Sequence, residues 1–133
     1  MIATAIWAGI AILLGVLEAL LFSSIKNASK RFKEKFKFDI HLLFTAIRGV
    51  LVVLLIWLMN VEEYGMFLFV AALIFPFLHD GFLYMTGKYL SKGKIYKNGF
   101  THQSKTTTAI LSFSFFWRVL FFVFGCGMLF TLI

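Results

Sequence analysis

The 133-residue chain is 61% hydrophobic and carries Asp, Glu, Lys or Arg at only 14% of its positions, about half the charged share of an ordinary soluble domain. With 18 Phe and a single Pro, it has more apolar surface than a core of this size hides from water, which argues against a water-soluble fold and for side chains that face lipid. The net charge of +7 then reads as membrane topology rather than nucleic-acid binding, since no nucleic-acid-binding fold accompanies the lysines, and the lone Cys126 excludes an intrachain disulfide.

A helix that crosses a bilayer needs about 20 mostly apolar residues, and four such runs follow one another: Ile2 to Ser24, Ile40 to Met59, Tyr64 to Thr86 and Thr108 to Ile133. The first has no basic leader and no small-residue cleavage pattern after it, so a retained span is expected rather than a signal peptide. Within it, Thr4, Ala8, Ala11, Gly15 and Glu18 recur at intervals of four and three, a stripe of small residues of the kind that lets helices approach closely. The loop after it sets Lys26, Lys30, Arg31, Lys33, Lys35 and Lys37 against Glu34 and Asp39. As a helix this loop would be basic and amphipathic, with Ile25, Phe32 and Phe36 on one side, whereas its alternation from Arg31 to Phe38 fits a strand. In either form Lys30, Arg31, Lys33, Lys35 and Lys37 suit anionic lipid headgroups.

In the second run, helical spacing links His41, Thr45 and Arg48. The turn after it, Asn60-Val61-Glu62-Glu63, is short and acidic. In the third run the same spacing links Gly65, Ala72, Pro76 and Asp80, with Tyr84 one turn later. Pro76 cannot donate to the Ala72 carbonyl, so a bend is expected there. Residues 87 to 107 hold Lys88, Lys92, Lys94, Lys97 and Lys105 with no acidic residue and read as a solvated loop or short hairpin. In the fourth run Thr107, Ser114, Arg118 and Gly125 share a face. Large residues such as Leu54, Ile56, Phe116 and Phe122 are expected toward lipid, and Trp7 and Trp57 at the outer boundary, where indole rings prefer to sit.

Lys and Arg concentrate in cytoplasmic loops. The sequence thus predicts an all-α membrane protein of one domain spanning residues 1–133: four transmembrane helices in an up-down bundle, both termini outside and two basic loops in the cytoplasm, with the plasma (inner) membrane as its place. Every predicted span holds an ionisable residue away from its ends: Glu18, Arg48, the pair His79 and Asp80, and Arg118. Such groups cost roughly 2.5 to 3.5 kcal/mol each at mid-span and normally face protein or water. At a rise of about 1.5 Å per residue, they lie roughly 9 to 15 Å from the cytoplasmic ends of their helices, in one layer whose two acids and two arginines balance. His41, Thr45, Pro76 and Ser114 flank that layer.

Two readings of the layer stand side by side. In one, the acids and arginines pair to fix helix register; in the other, they line a cytoplasm-facing cavity that holds an anion or passes a cation or proton. Histidine suits a proton relay because it changes charge near neutrality. His79 and Asp80 point about 100° apart on a helix and no i, i+4 ligand spacing occurs, so no metal site and no cofactor is expected. Three functional classes follow. The first is a homo-oligomeric channel or transport protein gated by the charged layer. The second is a structural or regulatory subunit of a membrane complex, whose basic loops bind a partner or anionic lipid. The third is an intramembrane enzyme acting on lipid headgroups, although no residue pattern demands catalysis.

Overall fold

The computed structural model describes residues 2–27, 40–94, 96–103 and 113–131, which form helices α1 (Ile2–Asn27), α2 (Ile40–Leu58), α3 (Tyr64–Leu90) and α4 (Phe115–Thr131), with a short 3-10 turn at Gly99–Thr101. By length and composition α1 and α3 are long and apolar enough to cross a membrane, while the apolar stretches of α2 and α4 are shorter, Leu43–Leu58 and Phe115–Phe130. The first three helices begin where the apolar runs begin. The fourth starts at Phe115 instead of Thr108: Phe113 and Ser114 are not helical, and the Ser114 carbonyl accepts the N–H of Arg118 at 3.1 Å. Serine is favoured at such a helix start over a helix interior, because its hydroxyl competes for backbone hydrogen bonds. Lys30, Arg31, Lys33, Lys35 and Lys37, and residues 108–112, lie outside the described residues.

The turn between α2 and α3 closes by local chemistry. Asn60 adopts a left-handed φ of 46°, its N–H bonds to the Trp57 carbonyl, and the Val61 N–H bonds to the Ile56 carbonyl. This is the Schellman arrangement, for which Asn is a good substitute for Gly. The apolar pair Ile56 and Val61 packs under it.

Helix directions alternate along the chain, yet the tightest pairing is not between sequence neighbours. The α1 helix lies parallel to α3, with Trp7 at Ala71, Gly15 at His79 and Ala19 beside Leu83. The small-residue stripe explains this: a Cβ at Gly15 would strike the His79 carbonyl, so only glycine allows the two backbones this close. On its other side α3 packs against antiparallel α4, where Gly125 meets Leu73 and Ile74. The α2 helix leans more lightly on α1. One core cluster joins Ala3, Trp7, Leu55, Phe67, Val70, Ala71 and Ile74.

Several facing assignments change. Trp7 is buried, at 3% exposure, with its indole N–H donating to the Ala71 carbonyl at 3.2 Å; its ring packs between helices and does not face outward. Trp57 is 74% exposed. Ile56 and Phe122 turn inward, Phe122 stacking on Phe77 at 4.5 Å, whereas Leu54 and Phe116 face outward with Val50, Val53, Val123 and Phe124. On α2 the inward stripe is Phe44, Arg48, Leu51 and Leu55, and Thr45 is exposed. The α3 helix continues without interruption through Pro76. Neighbours on two sides bury a wide arc of α3, so its Ala72 is exposed while His79 and Leu83 are buried.

The segment after α3 folds back onto it instead of standing in solvent. Phe100 covers Gly81 and Tyr96 covers Gly87, and no strand forms among the described residues. At both places the ring occupies the space a Cβ would fill, so a larger residue would have to push the ring aside.

Candidate functional site

Four of the five charged or titratable residues singled out in the sequence meet at one depth. Glu18, on the stripe one turn below Gly15, is fully buried. Its Oε2 accepts from Arg48 Nη2 at 2.6 Å, and the same oxygen lies 3.0 Å from His79 Nε2. Arg48 Nη2 is also 2.8 Å from His79 Nε2. On the other side of the imidazole, His79 Nδ1 lies 2.9 Å from Asp80 Oδ1. Helical angles alone would separate adjacent residues by about 100°, but the short Asp80 side chain bends back to the ring. Phe75 stacks on the imidazole at 4.7 Å, takes the Arg48 guanidinium over its face at 4.9 Å, and is itself stacked by Trp7. The network is thus walled by aromatic rings.

Burial is graded across it. The Glu18 and His79 side chains are 1% and 4% exposed, those of Arg48 and Asp80 22% and 26%. Glu18 is therefore the deepest member, His79 bridges from it to Asp80, and Asp80 stands at the edge, although helical spacing placed Asp80 itself on the buried face.

Protonation at His79 cannot satisfy all its neighbours at once. A ring nitrogen either carries a hydrogen or accepts one. If Nε2 carries the hydrogen it donates to Glu18, and Arg48 must use its remaining hydrogen on Glu18 alone. If Nε2 is bare, it accepts from Arg48, and the hydrogen sits on Nδ1 facing Asp80. The site holds two proton arrangements of one heavy-atom geometry.

Arg118 does not join this hydrogen-bonded set. Fully buried on α4, it donates through Nη2 to the carbonyls of Phe100 at 3.2 Å and His102 at 2.6 Å. Its guanidinium lies over the Tyr84 and Phe115 rings at 5.4 and 5.8 Å. Asp80 and Tyr84 act on it electrostatically, so Asp80 links the two charged groups. Of the flanking residues, Ser114 begins α4, Pro76 lies one turn above Asp80, Thr45 is at the surface, and the His41 side chain lies outside the described residues.

His102 and Tyr96, overlooked in the sequence, complete the Arg118 side. With Tyr84 they form a ring of three aromatics, each pair of centroids 5.0 to 5.1 Å apart. Burial, and then the positive charge of Arg118, hold the His102 imidazole below its ordinary pKa. Burial, helped by the Glu18 carboxylate, pushes the Tyr96 phenol up. The signal available in the sequence was Tyr96 and Phe100 standing in an otherwise basic, glycine-bearing loop, since large rings there need something to cover. Compared with known proteins, the chain matches no family model, no curated protein and no solved structure.

Proposed function

We propose that the chain is a four-span integral membrane protein of the plasma (inner) membrane that assembles as a homo-oligomer and provides a path for protons through its charged layer. In this reading both basic loops are cytoplasmic and both termini are outside. The membrane assignment is supported by the length of α1 and α3 and by outward apolar side chains on every helix, such as Leu13, Val53, Phe69 and Phe124. The shorter α2 and α4, with 19 and 17 residues, are about 28 and 26 Å long at 1.5 Å per residue, close to the roughly 30 Å hydrocarbon core.

The observation that carries the functional reading is His79 seated between two carboxylates, one buried and one partly exposed. Chains of carboxylates and histidines inside a membrane are the usual material of proton relays. A proton arriving on Asp80 Oδ1 passes to Nδ1 while the hydrogen on Nε2 passes to Glu18 Oε2. Asp80 is again a carboxylate, Glu18 is a carboxylic acid, and the imidazole is neutral in its other tautomer. Arg48 then donates to the bare Nε2. The charged groups around the ring are Glu18 from α1, Arg48 from α2, Asp80 from α3 and, through Asp80, Arg118 from α4. Four helices of this size do not enclose a pore alone, which is why the path requires neighbouring copies.

Proton flux into proteoliposomes is the test. Glu18→Gln and Asp80→Asn are each expected to lower flux about tenfold or more, the usual contribution of a positioned proton carrier being at least this large. Unchanged flux in both overturns the proposal. The exchanged pair Glu18→Arg with Arg48→Glu separates relay from scaffold: it keeps the ion pair and should restore folding, yet it should leave flux lost, because the carboxylate no longer faces Nε2 from α1. The lipid-enzyme reading finds less support, because the cleft at the loop end of the bundle is lined by neither His79, Arg48 nor Arg118.

A further inference from the structure

Because α1 and α3 run parallel, their C-terminal ends finish side by side. Beyond Leu90 the chain reverses through Lys92, held at a left-handed φ of 50°, and returns with Tyr96 against Gly87. Between this fold-back and the last turns of α1 lies a cleft of about 610 Å³. Its floor is apolar, made by Ala19, Phe22, Ile25 and Leu90; its mouth carries Lys92 and Lys94, and no acidic residue is among the described residues that line it.

Two independent features fix the chemistry of an occupant. One is charge: the lysines belong to a segment with no carboxylate to neutralise them. The other is depth. The candidate spans in α1 and α3 end at Ile25 and Leu90, and these two residues lie in the cleft wall. If the helices cross a bilayer, as proposed above and as this inference requires, the boundary between hydrocarbon and headgroups runs through the cleft. A ligand there needs an anionic head at the mouth and a hydrocarbon tail on the floor.

We infer that the cleft is a binding site for one anionic phospholipid, with its phosphate between Lys92 and Lys94 and the first methylenes of a chain against Phe22, Ile25 and Leu90. Tyr96 forms the inner wall and packs on Ala19, Leu83 and Tyr84, so an occupied cleft braces the fold-back against both long helices.

The full chain in mixed micelles of phosphatidylcholine and phosphatidylglycerol, read by native mass spectrometry, tests this. One phosphatidylglycerol should stay bound in preference to phosphatidylcholine. Lys92→Gln with Lys94→Gln should lower that preference roughly thirtyfold, the worth of two lysines at an anionic surface. Lys88→Gln with Lys97→Gln removes the same charge from the last turn of α3 and from the fold-back, outside the cleft, and should leave the preference in place. Equal loss in the two double variants means diffuse attraction and overturns the site, as does retention by the first. Displacement by millimolar inorganic phosphate also overturns it, by making the bare anion sufficient. Floating the chain with phosphatidylcholine vesicles separates the two proposals. A chain that floats but shows no lipid preference loses only the cleft, and one that does not float loses the membrane assignment.

Discussion

At Gly15 the two long helices come as near as backbones can. A methyl group there meets the His79 carbonyl carbon and the Leu83 N–H nitrogen, each at 3.2 Å, and neither can swing aside. Gly15→Ala should therefore destabilise the chain by about 1 to 3 kcal/mol, the usual cost of overpacking, and should pull Glu18 away from His79. At Gly125 the obstacle is partly the movable Ile74 side chain, 2.9 Å away, and at Gly9 nothing lies within 4 Å. Unfolding in mixed detergent should rank the alanine variants Gly15, Gly125, Gly9 from most to least affected; equal midpoints would mean that α1 does not bear on α3 at this point. This stripe was readable in the sequence because α1 packs most closely along one side, so its small residues repeat with the helical period. The same reading failed for α3, where two packed sides blur the period and exchange the depths of His79 and Asp80. It failed by one residue on α2, where Phe44 rather than Thr45 points in.

Between elements, the fold-back loop is held by Arg118 and by a histidine whose charge the interior disfavours. His102 has a folded pKa below its unfolded value near 6.5, so the folded loop binds fewer protons than the unfolded one between those two values. Its docking is at full strength above about pH 6.5 and weakens as pH falls through that point toward the folded pKa. The opening equilibrium of residues 96–103, taken from hydrogen exchange with the intrinsic pH dependence of amide exchange divided out, should shift toward the open form on acidification, and His102→Gln should remove most of that shift; an opening equilibrium that does not change with pH in the unaltered chain counts against this coupling. At the end of α3, the Gly93 N–H bonds to the Lys88 carbonyl and the Lys92 N–H to the Tyr89 carbonyl, a Schellman stop with lysine at the left-handed position. Lys92→Gly should raise stability by about 1 kcal/mol, since only glycine adopts that conformation without cost, while weakening retention of the anionic lipid. A fall in stability would show that the lysine side chain holds the turn. The sequence pointed to a solvated loop because lysines dominate its composition; the aromatic rings between them decide its actual position.

For the whole molecule, the proposed topology puts each connection on a definite side of the membrane. In a Cys126→Ser background, Glu62→Cys should label with an impermeant maleimide from outside intact cells, and Lys33→Cys and Lys97→Cys only after permeabilisation. Labelling of either loop from outside would remove the four-span topology. The parallel pairing of α1 and α3 also bears on how the chain is made. Its closest partner reaches α1 only after α2 has been synthesised, and chains fold from the N-terminus as they emerge. Glu18 would thus enter the bilayer before His79 exists, and the first group able to neutralise it is Arg48. In the proposed four-span topology the α1–α2 pair would enter as a charge-balanced unit, and α3 would complete it by slotting along the small-residue stripe beside the Glu18–Arg48 ion pair. Arg48 accordingly matters first in biogenesis: its loss should lower the amount of chain that reaches the membrane before it alters what the finished protein does there.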